Sequence, residues 1–260
     1  MSPVGDLVRS WRQRRRLSQL ELAMDAGLST RHLSFIETGR SCPSPEVLMA
    51  IAQQLDIPLR ERNTLLLAAG YAPRFPQRSI HATAMQSVRE TLTRLLDAHQ
   101  PYPGLVLDGQ WNVVLANNAA LKLAELLPDS LRTPTMNIYR ASLHPDGLAR
   151  FTRNLDVWAT HLLGNLRRSI ENTGDPALSA LEAEILEYPR MRDAMRRGAT
   201  SETQALLVPC VLDVPAGSVS MFTTLTSFGT PQDVTLQELC MELFYPSDAA
   251  SEQLLRALAA

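Results

Sequence analysis

The feature that most constrains this fold is the stretch 19–40, QLELAMDAGLSTRHLSFIETGR, in which two short amphipathic patterns flank a glycine. The inward positions of the two patterns are Leu22, Ala23, Ala26, Leu33 and Ile36. Gly27 lies between the patterns, where a tight turn between helices requires a residue that tolerates positive φ. Ser18 and Ser29 stand where each helix needs an N-cap. The stretch predicts two helices joined by a tight turn.

The outward face of the second helix distinguishes this turn from an ordinary helical hairpin, which would share the same spacing. Thr30, Arg31, Ser34 and Phe35 present hydrogen-bond donors, a cation and an apolar ring instead of a solvated Glu/Lys surface. Such side chains suit the edges of base pairs in a major groove. The sequence therefore favours a helix-turn-helix that binds double-stranded DNA.

Residues 5–70 resemble the DNA-binding domain of the XRE (phage-repressor-like) family. The matching positions are Gln19, Ala23, Gly27, Leu33, Ile36, the tail Glu37-Thr38-Gly39-Arg40 and Pro43. The resemblance implies that Gln19 contacts backbone phosphate and that Thr30, Arg31 and Phe35 face base edges. An aromatic residue at Phe35 replaces the amide often found there and suits apolar contact with a thymine methyl group. The DNA-binding residues expected are Gln19, Ser29, Thr30, Arg31, Ser34, Phe35 and Arg40.

Three further helices complete the predicted five-helix DNA-binding domain. The first spans about residues 5–16, the fourth begins at Pro45 after a serine cap, and the fifth spans about residues 59–69. The XRE resemblance implies that Arg12 in the first helix pairs with Glu37 at the end of the third. The other arginines of the first helix have two interpretations, a solvated face or phosphate-directed charge.

The charge distribution supports a nucleic-acid partner for the first third of the chain. Residues 1–80 contain 11 arginines and 7 acidic residues, a net charge of +4, whereas residues 81–260 contain 14 basic and 20 acidic residues, a net charge of −6. A basic segment joined to an acidic remainder is typical of a nucleic-acid-binding domain attached to a domain with another role.

Composition argues against several other classes. No apolar run approaches the ~18 residues needed to span a membrane, and the arginine-rich N-terminus lacks the apolar core of a signal peptide. We therefore expect a cytoplasmic protein with no membrane partner. Cys42, Cys210 and Cys240 lie far apart without metal-ligand spacing. No nucleophile elbow, phosphate-binding glycine loop or His/Glu metal pair occurs, so neither catalysis nor a metal site is expected.

A boundary between two domains is indicated at residues 70–83, which contain two prolines and no helical periodicity. The predicted division is a DNA-binding domain at 1–72, a linker at 73–83 and a second domain at 84–260.

The second domain mixes helix and strand patterns. The predicted elements are a helix at 85–96, strands at 104–107 and 111–116, helices at 119–127, 148–170 and 176–186, strands at 204–214 and 218–228, and a helix at 249–258. Asp108-Gly109 between the first two strands is a strong hairpin signal, and Asn117 can cap the helix that follows. Antiparallel strands with helices packed on them predict an α+β domain.

This order of elements resembles the MmyB-like transcriptional regulators, in which a ligand-binding domain follows an XRE-type module. The matching stretches are LDGQWNVVLANNAA, NIYRASLHP, LGNLRRSIENTGDP and FTTLTSFGTPQDVTLQELCMELFYPSD. The resemblance implies a PAS-like fold whose interior cavity holds a small apolar molecule such as a fatty acid. Glu187-Tyr188-Pro189 departs from the family pattern at one cavity wall. The fold class is thus an all-α five-helix phage-repressor-like domain followed by an α+β PAS-like domain.

Candidate ligand contacts combine apolar side chains with polar partners for a carboxylate. The apolar candidates are Trp111, Met136, Phe151, Trp158, Met221 and Phe222, each of which also fits ordinary core packing. Arg140, His144 and Arg167 are the candidates for a polar contact, although each also fits a surface or structural role.

The predicted function is a one-component transcriptional regulator that forms a homodimer. It would bind a palindromic operator with half-sites about one helical turn apart and change its affinity when a small apolar ligand occupies the second domain. Two alternatives stay open. The second domain could be a ligand-free dimerisation or protein-interaction module, or it could hold a chromophore such as flavin or haem. No cofactor is expected apart from a bound apolar molecule such as a fatty acid.

Overall fold

The structure, a computed structural model, describes residues 3–197 and 206–259 of the 260-residue chain. Contacts between Cα atoms divide the chain into two units. The N-terminal unit comprises Met1–Gln77, Glu171–Gly174 and Pro231–Gln237, and the C-terminal unit comprises Arg78–Ile170, Asp175–Thr230 and Glu238–Ala260.

The five predicted helices of the N-terminal unit are present. They are α1 (Pro3–Arg14), α2 (Gln19–Asp25), α3 (Thr30–Glu37), α4 (Pro45–Gln54) and α5 (Leu59–Ala68). The first helix begins and ends about one half-turn earlier than its pattern predicts.

Local hydrogen bonds set the start of three of these helices. Ser18 accepts from the Glu21 amide while the Glu21 carboxylate accepts from the Ser18 amide, which forms a capping box at α2. Ser29 and Ser44 accept in the same way at α3 and α4. Gly27 has a φ of 67° between α2 and α3. The caps and the turn glycine predicted from sequence are confirmed.

The core of the N-terminal unit consists of the apolar faces of its helices. Its members include Val8, Trp11, Leu22, Ala23, Leu33, Ile36, Leu48, Ile51 and Leu65, each no more than 5% exposed. The inward face predicted for the helix-turn-helix is therefore confirmed at Leu22, Ala23, Leu33 and Ile36, whereas Ala26 is only half-buried.

The helices that follow along the chain are α6 (Gln86–Ala98), α7 (Asn118–Ala124), α8 (Asp129–Arg132), α9 (Ile138–Leu143), α10 (Leu155–Thr173), α11 (Pro176–Leu186), α12 (Pro189–Arg197), α13 (Val234–Glu238) and α14 (Ala249–Ala259). Single turns of 3-10 helix lie at Thr83–Met85 and Leu148–Arg150.

An antiparallel five-stranded sheet is built from β1 (Gly104–Leu107), β2 (Val113–Ala116), β3 (Cys210–Val214), β4 (Gly217–Ser227) and β5 (Cys240–Pro246), in the order β2-β1-β5-β4-β3. A helical N-terminal region followed by helices and an antiparallel sheet confirms the predicted two-domain layout.

The prediction of one helix over 148–170 is wrong in its first third. Residues 151–154 form a turn in which Thr152 makes an isolated antiparallel bridge with Leu212 of β3. The Arg153 amide donates to the Val211 carbonyl and the Asp213 amide donates to the Phe151 carbonyl, both at 2.8 Å. Helix α10 begins only at Leu155. Pairing with a distant strand overrides the local helical pattern.

The first hairpin has a longer connection than predicted. Asp108 accepts at Oδ1 from the amides of Gln110 and Asn112, each at 2.9 Å, and Trp111 has a φ of 66°. Strand β2 therefore begins at Val113 rather than at Trp111. At the other predicted hairpin β3 begins at Cys210, and residues 204–205 of the predicted strand lie outside the described residues.

Candidate functional sites

The outward side of α3 carries the residues predicted to contact DNA. Leu33 and Ile36 occupy its inward side and are fully buried, whereas Arg31 is exposed and Phe35 is half-buried. The guanidinium carbon of Arg31 lies 5.3 Å from the centre of the Phe35 ring, and that of Arg40 lies 5.9 Å from it. Two cations therefore flank one aromatic ring, so the surface offers both positive charge and apolar contact.

The other predicted DNA contacts lie on or beside this surface. Thr30 and Ser34 are half-buried and one helical turn apart on α3. The Ser29 hydroxyl accepts from the His32 amide at 3.1 Å, and the side-chain amide of Gln19 donates to Glu37 at 2.8 Å. Ser29 and Gln19 thus have hydrogen bonds inside the protein, and their contacts with DNA stay predictions.

Glu37 is a buried carboxylate, 2% exposed, at the end of α3. Arg12 of α1 donates to it from Nε to Oε1 at 2.7 Å and from Nη2 to Oε2 at 2.9 Å. Burial acts to raise the pKa of Glu37, but the hydrogen bonds from Arg12 and Gln19 outweigh it and hold the pKa below its ordinary value. The ion pair implied by the XRE resemblance is confirmed.

The arginines of α1 and the turn after it divide between structural and surface positions. Arg15 donates from Nε to the Leu55 carbonyl at 2.8 Å and from Nη2 to the Asp56 carbonyl at 3.1 Å. Arg9 and Arg16 are exposed. Arg15 thus has a structural role that neither interpretation anticipated, and phosphate contact by the exposed Arg9 and Arg16 stays a prediction.

An apolar cavity of about 60 Å³ lies within the C-terminal unit between the sheet and helices α7, α9 and α10. We call it the apolar chamber. Three predicted ligand contacts, Met136, Trp158 and Met221, line it, together with residues such as Leu212 and Phe244. Its lining carries no Asp, Glu, Lys, Arg or His side chain.

A second cavity of about 20 Å³, the polar chamber, adjoins the first. The residues that line both chambers are Ile138, Ser142, Trp158 and Phe244. A predicted contact, Trp111, also lines the polar chamber, and its ring meets Tyr139 edge-on at 5.3 Å. The polar side chains of this lining are Tyr139, Ser142, His161, Asn165, Thr223 and Glu242.

Glu242 is the acidic group of the polar chamber and was not predicted from sequence. It lies on β5 between Leu105 of β1 and Leu225 of β4 and is 6% exposed. Burial raises the pKa of its carboxyl to about 7, although a hydrogen bond with Thr223 opposes the shift. An acidic residue inside the apolar strand run CMELFYP was the signal that could have identified it.

The predicted polar contacts do not line either chamber. Arg140 donates to Glu184 from Nη2 at 2.6 Å and from Nε at 2.8 Å, and Arg167 donates to Glu182 at 2.6 Å. The His144 ring accepts the Asp146 amide at Nδ1, at 3.1 Å. These side chains are held by nearby partners elsewhere in the unit.

Two predicted aromatic contacts also lie outside the chambers. Phe222 follows Met221 on β4, and successive side chains of a strand point to opposite faces; its ring stacks on Tyr245 at 5.5 Å. Phe151 lies in the turn beside β3, with the guanidinium carbon of Arg150 4.6 Å from its ring centre.

Two of the three cysteines, Cys210 and Cys240, have thiols of low reactivity, whereas Cys42 is exposed. Burial raises the pKa of Cys210 to about 12 and that of Cys240 to about 11, so both thiols stay protonated near neutral pH. Within residues 3–197 and 206–259, no group of three or more His, Cys, Asp or Glu side chains could hold a metal ion. No helix in this part of the chain is long and apolar enough to cross a membrane.

Comparisons with known proteins match both parts of the chain. The family "MmyB-like transcription regulator ligand binding domain" matches residues 88–258, and "Helix-turn-helix" matches residues 8–62. The "Uncharacterized HTH-type transcriptional regulator RghRB" of Bacillus subtilis (strain 168) is 36% identical over 92 residues, which make up 35% of this chain. The chain spans 64% of the length of that curated relative.

A solved structure is also similar in sequence, the crystal structure of the clp gene regulator ClgR from Corynebacterium glutamicum. It is 26% identical, the match covers 38% of this chain and 93% of that chain, and the TM-score is 0.24.

Proposed function

The chain belongs to the family of MmyB-like transcription regulators, and on that premise we propose that it is a one-component regulator in which a small molecule changes DNA affinity. It has a helix-turn-helix DNA-binding domain and an MmyB-like ligand-binding domain. The observation that carries the proposal is the presence, in one chain, of the α3 surface around Arg31 and Phe35 and of a chamber lined by apolar side chains.

The α3 surface supports sequence-specific DNA binding. A recognition helix places its N-terminal residues against base edges in the major groove, and Thr30, Arg31 and Ser34 stand at that end of α3. Phe35 supplies an apolar surface for a thymine methyl group. Arg9 and Arg16 would add phosphate contacts, which strengthen binding without selecting a sequence.

We propose that two copies bind a palindromic operator. A single α3 reads one half-site, and two-fold symmetry places a second α3 one helical turn away, about 34 Å along the duplex. Helix α6 offers an apolar contact for dimerisation, because Leu95 is 52% exposed while Leu92 and Leu96 are buried.

We propose that a small apolar ligand occupies the apolar chamber of the C-terminal unit. The antiparallel sheet, with α7, α9 and α10 beside its chamber-lining strands, supports the PAS-like character implied by the family resemblance. Drug-sized ligands occupy roughly 300–1,000 Å³, whereas this chamber measures about 60 Å³. A fatty acid stays a prediction that requires the chamber to widen.

The small chamber volumes favour one second candidate function. A domain that binds no ligand keeps a packed interior, and about 60 and 20 Å³ are modest voids for such an interior. In that case the C-terminal unit would serve only dimerisation or protein interaction.

Native mass spectrometry of the full chain, repeated after denaturation, separates these candidates. We expect a dimer that carries a small molecule whose mass is lost on denaturation. Fluorescence anisotropy with a genomic operator fragment and a shuffled duplex should show tighter binding to the operator. An apo monomer that binds both duplexes equally would contradict the proposal, and an apo dimer that selects the operator would favour the second candidate.

A further inference from the structure

We infer that the polar head of the ligand donates hydrogen bonds or carries positive charge, as an amine does, and that the Glu242 carboxyl receives it. This inference deepens the proposed ligand-sensing function and rests on it, and it replaces the fatty acid that the family resemblance implies with an amphiphile whose head is a hydrogen-bond donor. The ligand class is an amphiphile with an apolar body for the apolar chamber and an amine or, less favourably, an alcohol for the polar chamber.

The position of Glu242 links the two chambers. Its strand neighbour two residues on, Phe244, lines both of them, and Leu105 opposite Glu242 on β1 lines the apolar one. Side chains two apart on a strand, or directly opposite on its neighbour, share one face of the sheet. A ligand whose body lies against Phe244 and Trp158 therefore has its head within the chamber that Glu242 lines.

The charge of the lining selects against an anion. Among the residues that line either chamber, the carboxylic acid is Glu242 and the ionisable base is His161, and no Lys or Arg is present. Burial lowers the pKa of His161, and its Nε2 lies 3.2 Å from the side-chain nitrogen of Asn165, which suits an unprotonated acceptor. A carboxylate would thus meet neutral hydroxyl and amide donors, an acidic group and a neutral imidazole, but no cation among the lining residues.

The arginines nearest the chambers do not line them. Arg168 is exposed, hydrogen-bonds to the side chain of Asn165 and lines neither chamber, although its charge contributes to lowering the pKa of His161. Arg140 and Arg167 form ion pairs with Glu184 and Glu182. These arginines offer no buried counterpart for a fatty-acid head.

An amine head satisfies the desolvated acid directly. Burial raises the pKa of a carboxyl because water no longer solvates the ionised form. An opposite charge within about 4–6 Å lowers the pKa again and stabilises the carboxylate. Thr223 provides a single hydroxyl to the two carboxyl oxygens of Glu242. An ammonium group, with three donors, can bond to the remaining acceptor positions.

The test compares three probes of equal chain length, hexylamine, hexan-1-ol and hexanoate, by isothermal titration calorimetry on the full chain at about pH 7. We expect hexylamine to bind tightest and hexanoate weakest. Glu242→Gln should weaken hexylamine about tenfold or more, with little effect on hexan-1-ol. Glu90→Gln, at an exposed position on α6, is the matched control and should change neither.

A second measurement on the unmodified protein does not depend on how the variant folds. Because the Glu242 pKa is about 7, ammonium binding at about pH 7 should release about half a proton. Titrations in two buffers of different ionisation enthalpy measure this release, which hexan-1-ol should not produce.

Tighter binding of hexanoate than of hexylamine, or hexylamine binding without proton release, would overturn the inference while leaving ligand sensing in place. Binding of none of the three probes would also overturn it. The mass-spectrometry and anisotropy experiments then decide the proposed function independently.

Discussion

Arg12 and Glu37 are joined by two parallel hydrogen bonds of 2.7 and 2.9 Å, with the Arg12 side chain 11% and the Glu37 side chain 2% exposed. The same carboxylate accepts from Gln19 at 2.8 Å. One carboxylate therefore ties α1 and α2 to the end of α3, the helix expected to read DNA. The orientation of α3 therefore depends on the Arg12–Glu37 ion pair as well as on apolar packing.

Arg12→Ala should destabilise the N-terminal unit by about 3 kcal/mol, because it leaves the buried Glu37 carboxylate without its cation. Urea unfolding of the full chain, followed by far-UV circular dichroism, measures this change. Gln13→Ala is the control, since Gln13 is exposed and uncharged on the same helix and its replacement should cost less than about 0.5 kcal/mol. Equal losses of unfolding free energy in the two variants would show that the ion pair stabilises the unit no more than an exposed side chain does.

Arg31→Ala should reduce discrimination between operator and shuffled DNA by about 1–3 kcal/mol, since a side chain directed at base edges contributes to one sequence only. Anisotropy titrations with both duplexes at one fixed salt concentration measure the difference. An equal loss of affinity for the two duplexes would show that Arg31 does not contact base edges.

Gln19→Ala should weaken binding to both duplexes about equally, as expected for a phosphate contact. The variant also removes the hydrogen bond from Gln19 to Glu37, so its unfolding free energy must be measured alongside. A loss confined to the operator would contradict the phosphate assignment.

Asn117→Ala should destabilise the C-terminal unit by about 3–5 kcal/mol, because buried backbone groups would lose their partners. Its Oδ1 accepts from the Gly104 and Ala120 amides, each at 3.0 Å, and its Nδ2 donates to the Leu96 carbonyl at 3.2 Å and the Tyr102 carbonyl at 2.8 Å.

The matched control for this prediction is Asn118→Ala. Asn118 is the next residue and is exposed at the start of α7, so its replacement should change the unfolding free energy by less than about 0.5 kcal/mol. Similar urea midpoints for the two variants would show that the four hydrogen bonds do not hold this junction.

Local signals made much of this fold predictable. Ser18, Ser29 and Asn117 each accept from the amide three residues onward, so these caps are predictable from the local sequence. Gly27 likewise marks a turn whose φ is positive. The α3 surface followed from the same local periodicity.

The ligand site was less predictable because its lining depends on which face of the sheet each strand residue occupies and on pairing between segments distant in the sequence. Met221 lines the apolar chamber and its neighbour Phe222 does not, a choice fixed by the pairing of β4 with β5. The predicted helix is interrupted at residues 151–154 because Thr152 bridges to Leu212 of β3, which is distant in the sequence. Glu242 stands out in the sequence as an acid within an apolar strand run, but only the sheet shows which helical side chains share its chamber.

Glu242→Gln should change how the stability of the C-terminal unit depends on pH. The folded carboxyl has a pKa of about 7, above the ordinary 4.5, so the native state holds a proton that the unfolded chain has released between these values. Because the native state binds this extra proton, the contribution of the Glu242 carboxyl to the unfolding free energy is full below about pH 4.5. It is lost as the pH rises through 7. The 2.5-unit difference corresponds to about 3 kcal/mol.

The neutral amide of the Glu242→Gln variant cannot ionise, so the variant and the unmodified chain should be similarly stable at about pH 5 and diverge by about pH 8, where the variant becomes the more stable. Urea unfolding at the two pH values measures this difference. Glu90→Gln controls for the loss of one exposed carboxylate and should give a pH profile parallel to that of the unmodified chain.

The other groups whose pKa responds to the Glu242 charge, Tyr139, Cys210 and Cys240, titrate well above this window. A constant difference between variant and unmodified chain at both pH values would mean that Glu242 is already ionised near pH 5, which would remove the physical basis for its selective binding of an amine.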